Sequence, residues 1–98
     1  MIIFMYRWHI PPHQQGEFQK NWKELTETSK ATHGLISAIL YRCGEYHVSI
    51  ANWSSKRGWE HWKRNHADHP YHLRWRAFQV ADEILVPVAH VDTTTREA

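Results

Sequence analysis

Residues 61–72 concentrate the side chains of this sequence that could bind a metal or transfer a proton. The segment holds four histidines and one aspartate, namely His61, His66, Asp68, His69 and His72. Imidazole nitrogens are common metal ligands, and imidazole also gains and loses a proton near neutral pH. His66, His69 and His72 are three residues apart, but Pro70 interrupts the helical register that would align them. No second ligand cluster is evident in the sequence, so we expect no metal site and at most one functional histidine.

The single cysteine, Cys43, offers little chemistry. It lies in a predicted turn beside Gly44, where Arg42 is the one neighbour in sequence that could favour a reactive thiolate. A lone cysteine cannot form an internal disulfide, which favours a reducing, cytoplasmic location. The longest apolar run, Met1–Met5, is too short to span a bilayer, and the pattern of a signal peptide is missing, so no membrane partner is expected.

Basic residues mixed with aromatic ones in the second half of the chain raise the possibility of nucleic-acid binding. They are Lys56, Arg57, Lys63, Arg64, Arg74 and Arg76. The net charge of +2 is small for a polyanion binder. An RNA-recognition module would also place stacking aromatics in a glycine-flanked strand, and the predicted strand Tyr46–Trp53 has no such pattern. We therefore expect no nucleic-acid partner.

The aromatic surplus indicates a hydrophobic pocket, since there are six tryptophans among only 98 residues. Cavities lined by aromatic rings with a few polar groups suit planar organic ligands. Nearby histidines and arginines would supply a base and a partner for a developing anion. We expect about half of these rings to be ordinary core instead. The rings in question are Trp8, Trp53, Trp59, Trp62, Trp75, Tyr41, Tyr46, Tyr71 and Phe78.

The first half of the chain predicts a strand and a helix that could form part of such a pocket. Residues 2–10 are rich in β-branched and aromatic types and end at Pro11 and Pro12, as a strand does before a hard stop. Residues 13–32 follow with helical spacing of inward positions, and Gly34 is the stop signal. The inward positions are Phe18, Trp22, Leu25 and Ser29, and we interpret Trp22 as core.

The second half of the chain predicts two strands, two helices and a last strand. Leu35–Arg42 and Tyr46–Trp53 are predicted strands joined by a short turn. Ser54 or Ser55 then caps a second helix carrying Trp59 and Trp62. Pro70 opens a short helix over residues 71–78. A last strand spans Asp82–Val91, where Pro87 requires a sheet edge or a bulge because it cannot donate a ladder hydrogen bond.

These elements predict the α+β class, with the ferredoxin-like order βαββαβ and a four-stranded antiparallel sheet. Ordinary hydrophobic and charged fractions of 42% and 22% exclude disorder, collagen and coiled coil. We expect one domain over residues 1–92 and a flexible tail at 93–98. Several strands are apolar on both faces, while the helices can cover only one, so we expect a homodimer that packs face to face.

The chain resembles the antibiotic biosynthesis monooxygenase superfamily of dimeric α+β barrels over residues 2–91. The matching features are the opening strand and helix (Ile2–Thr32) and the approach to the second strand, His33-Gly34-Leu35-Ile36-Ser37. The most recognisable feature is a third strand that ends in a tryptophan and leads at once into a helix. It reads Ile50-Ala51-Asn52-Trp53-Ser54-Ser55-Lys56-Arg57-Gly58-Trp59-Glu60-His61-Trp62.

The resemblance implies one of two activities, namely oxidation of polycyclic phenols by O2 without metal or flavin, or degradation of haem. Other members of the superfamily have no known reaction. Trp62 and His72 match the tryptophan and the iron-binding histidine of the haem-degrading branch, but Arg7-Trp8-His9 stands where that branch has an asparagine. Trp53 matches the strand-end tryptophan of the phenol-oxidising branch. Ser49 replaces the asparagine expected four residues earlier, and Arg74 lies one position from the expected arginine.

The leading hypothesis is a cofactor-independent monooxygenase-like enzyme that acts on an aromatic or polyphenolic small molecule with O2. His72 would be the base, Arg74 would stabilise the substrate anion and Trp62 would pack against the substrate. The remaining pocket residues would be Trp8, Tyr41, Trp53 and Trp59. Two alternatives stay open: a haem-binding or haem-degrading protein with His72 on the iron, and a non-enzymatic dimeric module that binds a small aromatic metabolite.

Overall fold

The computed structural model describes residues 2–32 and 34–91, and its elements follow the predicted order. His33, the predicted domain boundary at residue 92 and the predicted tail 93–98 lie outside the described residues. A single 3-10 turn, Pro12–Gln14, precedes the first α-helix. The elements are β1 (Ile2–His9), α1 (Gln15–Thr32), β2 (Leu35–Cys43), β3 (Tyr46–Trp53), α2 (Lys56–Asn65), α3 (Pro70–Arg76) and β4 (Gln79–Leu85).

The four strands form one antiparallel sheet in the order β2-β3-β1-β4. The two central strands are β1 and β3, in which Tyr6 lies opposite Ser49. On the other side of β1, Tyr6 lies opposite Asp82 of β4. This topology confirms the predicted α+β, ferredoxin-like fold.

The helices cover one face of the sheet, and the alternation of β1 shows which one. Phe4 and Trp8 are buried there, whereas the intervening Arg7 and the following His9 are exposed. Side chains alternate between the two faces of a strand, so a run of aromatic residues at every second position points toward the helices. The helical period of α1 likewise buries Phe18 and Ser29, as predicted.

Local caps explain where α2 and α3 begin. Ser55, one of the two predicted caps, accepts a hydrogen bond through Oγ from the Gly58 backbone N–H at 3.0 Å. His69 caps α3 in the same way, since its Nδ1 accepts from the Tyr71 N–H at 3.1 Å. Pro70 is the first residue of α3, where its missing N–H costs no helical hydrogen bond.

Gly34 makes the turn from α1 into β2 possible. Its φ of +78° lies in the left-handed region that L side chains rarely adopt. The Ser54 N–H donates to the Gly34 carbonyl at 2.9 Å, which draws the two segments together. A Cβ at this position would lie 2.5 Å from Ser54 Oγ, so the close approach requires glycine as well.

The predicted bounds of the last strand were wrong: β4 spans Gln79–Leu85 rather than Asp82–Val91. A strand extends only as far as it has a partner to bond, and Leu85 already lies opposite Ile3, next to the start of β1. At its other end β4 begins earlier because Gln79 pairs with Trp8 after a bulge. Pro87 therefore follows the strand and does not lie within it.

The face of the sheet opposite the helices carries an apolar patch, which the described residues of this chain leave uncovered. Met5, Ile39 and Ile50 lie side by side on three neighbouring strands. Because side chains alternate along a strand, they point to the face away from their buried neighbours Phe4 and Ala51. Ile39 is 53% exposed and Tyr41, two residues along, is 52% exposed. None of the helices in the described segments is long and apolar enough to cross a membrane.

Candidate functional site

A partly open cavity of about 80 Å3 lies between the helices and the inner face of the sheet. The strands contribute Tyr6, Trp8, Ser49 and Trp53 to its wall. The helices contribute Phe18, Asn21, Trp22, Leu25, Thr26, Ser29, Trp62, Tyr71, His72, Trp75 and Arg76. The wall is mainly aromatic and aliphatic, and few polar atoms interrupt it.

Four of the residues predicted for the site line this cavity together: Trp8, Trp53, Trp62 and His72. The rings of Trp53 and Trp62 lie 5.5 Å apart between centroids. Pro70 ends the connection after α2 and begins α3, which returns toward the sheet and brings His72 onto the same cavity as Trp62.

Arg74 does not line the cavity, contrary to the sequence-based expectation, and Arg76 does. Residues four apart on a helix share a face, whereas residues two apart are rotated by about 200°. Once Pro70 sets the register of α3, His72 and Arg76 share a face and Arg74 points elsewhere. Arg74 forms an exposed ion pair with Glu17 of α1, and its guanidinium lies 4.6 Å from the centroid of the Trp75 ring.

Tyr41 and Trp59 also lie away from the cavity that they were predicted to line. Tyr41 pairs with Val48 on the uncovered face of the sheet, because its neighbour Leu40 takes the inward position of β2. Trp59 is buried, but it stacks on Phe4 at 4.2 Å between ring centroids, in the first turns of α2. It contacts the site indirectly, since its indole N–H donates to the Tyr6 hydroxyl at 3.4 Å.

Several residues that line the cavity were missed, chiefly Asn21 and Arg76. Asn21 follows the buried Phe18 by three residues and precedes Leu25 by four, so the helical period of α1 could have placed it on the inward face. Trp22, interpreted as core, is half-buried and lines the cavity, and its indole N–H donates to Ser49 Oγ at 3.1 Å.

Contacts between α1 and α3 hold one side of the cavity. The Trp75 indole N–H donates to Asn21 Oδ1 at 3.0 Å, and the Tyr71 hydroxyl donates to Glu24 Oε2 at 3.1 Å. On the α2 side, the Trp62 indole N–H donates to Ser29 Oγ. The short helix that carries His72 is therefore fixed by side chains from α1.

The surroundings of His72 keep its imidazole neutral. Burial lowers the pKa of His72 from its ordinary value of 6.5, and nearby cationic groups, of which Arg76 is the largest contributor, lower it further. Burial also raises the pKa of Tyr6 to about 12. At neutral pH the imidazole of His72 is therefore neutral and can accept a proton, whereas the phenol of Tyr6 stays protonated.

Two other histidines of the 61–72 segment, His66 and His69, pack against neighbouring rings. The His66 ring stacks on Trp62 at 5.2 Å, and His69 lies 5.9 Å from His66 between centroids. Across residues 2–32 and 34–91, no three His, Cys, Asp or Glu side chains are grouped so that they could hold a metal ion.

We expect stability to fall as the pH is lowered through about 6.5. His47 is fully buried between α1 and the sheet, and burial together with the cationic Arg42 lowers its pKa below the value of 6.5 that applies in the unfolded chain. The unfolded state then binds protons more readily than the folded state, so acid favours unfolding. Denaturant unfolding at pH 7.5 and pH 5 should show this loss, and His47→Gln should make it smaller. An equal loss in the variant would show that other groups cause it.

No family model matches the chain, and no curated protein matches it in sequence. Among solved structures, an antibiotic biosynthesis monooxygenase matches with a TM-score of 0.71 at 14% identity over 93% of this chain and 100% of the other. SnoaB, a cofactor-independent oxygenase from Streptomyces nogalater, matches with a TM-score of 0.73 at 17% identity over 96% and 97%.

A third match comes from another organism and supports the same conclusion about the fold. The protein Rv0793 of Mycobacterium tuberculosis gives a TM-score of 0.68 at 17% identity, over 93% of this chain and 98% of the other. Identities this low compare architectures rather than active sites. The chain thus has the fold of the antibiotic biosynthesis monooxygenases, as its sequence resemblance predicted.

Proposed function

We propose that this protein is a cofactor-independent monooxygenase-like enzyme that oxidises a planar aromatic small molecule with O2. The observation that carries the proposal is that His72, whose pKa burial lowers, lines the same aromatic cavity as Trp53, Trp62 and Arg76. The shared fold with an antibiotic biosynthesis monooxygenase and with SnoaB supports the same reaction class.

The proposed reaction begins when His72 removes a proton from a phenolic O–H or an acidic C–H of the substrate. The resulting anion is electron-rich enough to pass one electron to O2, and the radical pair recombines to a peroxide anion. The protonated His72 returns its proton, and loss of one water leaves a ketone, so one substrate CH2 and one O2 give one C=O and one H2O. In this proposal Arg76 stabilises the anion, because it lines the cavity and its guanidinium stays charged.

The size of the cavity limits how a substrate can enter. At about 80 Å3 it is smaller than the roughly 150 Å3 engineered cavity that holds a benzene molecule. A substrate with several rings therefore has to displace side chains of the wall, of which Arg76 is exposed and Tyr71 and His72 are half-buried. Haem would have to displace far more of the wall than a substrate of two or three rings, since it is a four-pyrrole macrocycle, and no step through His72-bound iron is proposed.

The direct test is O2 uptake by the purified protein with anthrone-like phenols, measured in air and repeated under argon. We expect O2 consumption and a ketone product in air, and no product under argon. If these compounds raise the melting temperature without any O2 uptake, the protein is a binding module for aromatic metabolites and the enzymatic proposal is wrong.

Arginine variants separate the two candidates for the anion-stabilising group. We expect Arg76→Met to lower kcat/KM by about 10- to 100-fold, because the substrate anion loses a charge that faces the cavity. Arg74→Met should change it less than about threefold, since that side chain pairs with Glu17 outside the cavity. Steady-state kinetics of both variants would check this, and the opposite order would return the role to Arg74.

We also propose that the protein is a homodimer joined through the uncovered face of the sheet. An apolar patch lies there, formed by Met5, Ile39, Tyr41, Val48 and Ile50, and the helices of the described segments lie on the other side of the sheet. Such a patch is costly to leave in water, and the same patch on a second copy is the simplest cover.

Sedimentation should therefore show a dimer at micromolar concentration, and Ile39→Lys should give a folded monomer. A lysine at this position would bury an unpaired charge in the interface. Leu73→Lys is the matched control, because Leu73 is similarly exposed, at 49%, but lies on α3. A monomeric wild-type chain, or an Ile39→Lys variant that remains dimeric, would contradict this interface.

A further inference from the structure

The short helix α3, which forms part of the cavity wall, begins at a histidine cap. It contributes Tyr71, His72, Trp75 and Arg76 to the wall. Its N-cap residue is His69, whose Nδ1 accepts a hydrogen bond from the Tyr71 backbone N–H at 3.1 Å. Imidazole gains and loses a proton within the physiological pH range, so the hydrogen bond that begins α3 depends on pH.

This hydrogen bond requires the neutral form of His69. A backbone N–H can only donate, so Nδ1 has to accept, and the hydrogen of the neutral ring lies on Nε2. Protonation adds a hydrogen to Nδ1, which then faces the Tyr71 N–H, donor against donor. The cap of α2 lacks this sensitivity, because Ser55 accepts through a hydroxyl oxygen that keeps its lone pairs throughout this pH range.

The neighbouring His66, whose ring lies 5.9 Å from that of His69 between centroids, responds differently. Its Nδ1 lies 3.0 Å from the Trp62 carbonyl oxygen, which can only accept, so this nitrogen already carries a hydrogen. Protonation therefore preserves the hydrogen bond between His66 and Trp62 but breaks the one between His69 and Tyr71.

Positive charge predominates around His69. Burial lowers the pKa of His72, and the cationic groups near it lower it further, so these groups are close enough to repel one another. The acids nearby are Asp68, which is exposed and adjacent in sequence, and Glu24 of α1, which accepts from the Tyr71 hydroxyl at 3.1 Å. Among the described residues, neither acid forms an ion pair with His69. The cationic groups are, in decreasing order of effect, Arg76, His66, Lys63 and His69.

Loss of the cap loosens the first turn of α3, because a cap of this kind stabilises the end of a helix. The later part of α3 stays attached to α1, since the Trp75 indole N–H donates to Asn21 Oδ1 at 3.0 Å. Tyr71 and His72 lie in the first turn and line the cavity, so their displacement enlarges it. At about 80 Å3 the cavity has to enlarge before a ligand of several rings can enter.

We propose that His69 is a pH-sensitive cap, which holds α3 over the cavity when it is neutral and releases the first turn of α3 when it is protonated. The inference rests on the proposed function only in its consequence, namely that the opening admits the aromatic ligand. The opening itself is a property of the protein without ligand.

Hydrogen exchange of the full chain at pH 7.5 and pH 5.5 tests the opening, with each rate divided by that of an unstructured amide at the same pH. The Leu73 N–H reports on the first turn, because it donates to the His69 carbonyl at 3.0 Å. We expect its protection to fall about fivefold at pH 5.5, the effect of losing one helix cap. Protection in α2 should change less, since Ser55 does not titrate. Equal falls in both helices would indicate global destabilisation and overturn the proposal.

Variants of His69 assign the effect to its ring. His69→Asn keeps a cap acceptor that does not titrate, so the protection of α3 should be the same at both pH values. His69→Ala lacks the acceptor, and protection should be low at both. His13→Asn is the matched control, since His13 is exposed in the turn before α1, and it should retain the wild-type response. An undiminished pH response in His69→Asn would overturn the role of His69.

The consequence for ligand entry is measured with 1-naphthol, a planar phenol that is uncharged at both pH values. Its association rate, followed by quenching of tryptophan fluorescence, should be about fivefold faster at pH 5.5 in wild type and unchanged in His69→Asn. A loosened α3 without faster association would overturn the role of α3 in ligand entry. If 1-naphthol does not bind at either pH, the proposed function of the cavity is wrong, and hydrogen exchange alone decides whether His69 is the cap proposed.

Discussion

We expect the replacement of His72 with glutamine to lower the rate of the proposed O2-dependent oxidation by at least about 100-fold, the range for removal of a general base. Glutamine retains much of the size and polarity of histidine but cannot accept a proton at neutral pH. The melting temperature should stay within about 3 °C of wild type, because His72 is only half-buried.

The pH dependence of the reaction provides a second measurement of the same role. With wild type, kcat/KM should rise with pH through the pKa of His72, which burial and the neighbouring Arg76 hold below 6.5. That step should be missing in His72→Gln. His13→Gln is the matched control, since His13 is exposed at the start of the chain's first helical segment. Full activity in His72→Gln would show that the base is another group.

The largest expected effect on stability comes from Phe18, at the junction of α1, α3 and the sheet. Its ring contacts those of Trp8, His47 and Trp75 at centroid distances of 4.9, 5.1 and 5.3 Å, and it is 2% exposed. Phe18→Ala should lower the free energy of unfolding by about 3–5 kcal/mol, because the removed ring leaves a void that the surrounding rings cannot fill. This loss would be a large share of the total stability of a domain this size.

Denaturant unfolding measures this loss directly. Leu73→Ala is the control, since the leucine side chain is already half-exposed on α3 and its removal should cost less than about 1 kcal/mol. Similar losses in the two variants would mean that Phe18 does not pack in the core as described.

Local sequence patterns predicted the order of the elements and the inward face of α1, and the alternation of β1 agrees with the face that the helices cover. Both follow from local periodicity, two residues in a strand and about 3.6 in a helix, and Phe4, Trp8, Phe18 and Ser29 are buried as those periods predict. The bounds of β3 were also predicted correctly, because a turn and a serine cap delimit it locally. The resemblance to the antibiotic biosynthesis monooxygenases predicted the fold that the solved structures share.

Other features depend on contacts between segments that are distant in sequence, so local patterns do not predict them. β4 ends at Leu85 because its partner strand β1 begins at Ile2, a fact about pairing between distant segments. Arg76 lines the cavity instead of Arg74 because the register of α3 places it on the face that carries His72. The orientation of the Asn21 amide depends on Trp75, which is 54 residues away and adjoins it only after folding. Periodicity identifies the face on which a side chain lies, but its partners are set by long-range packing, and the chemistry of this cavity depends on those partners.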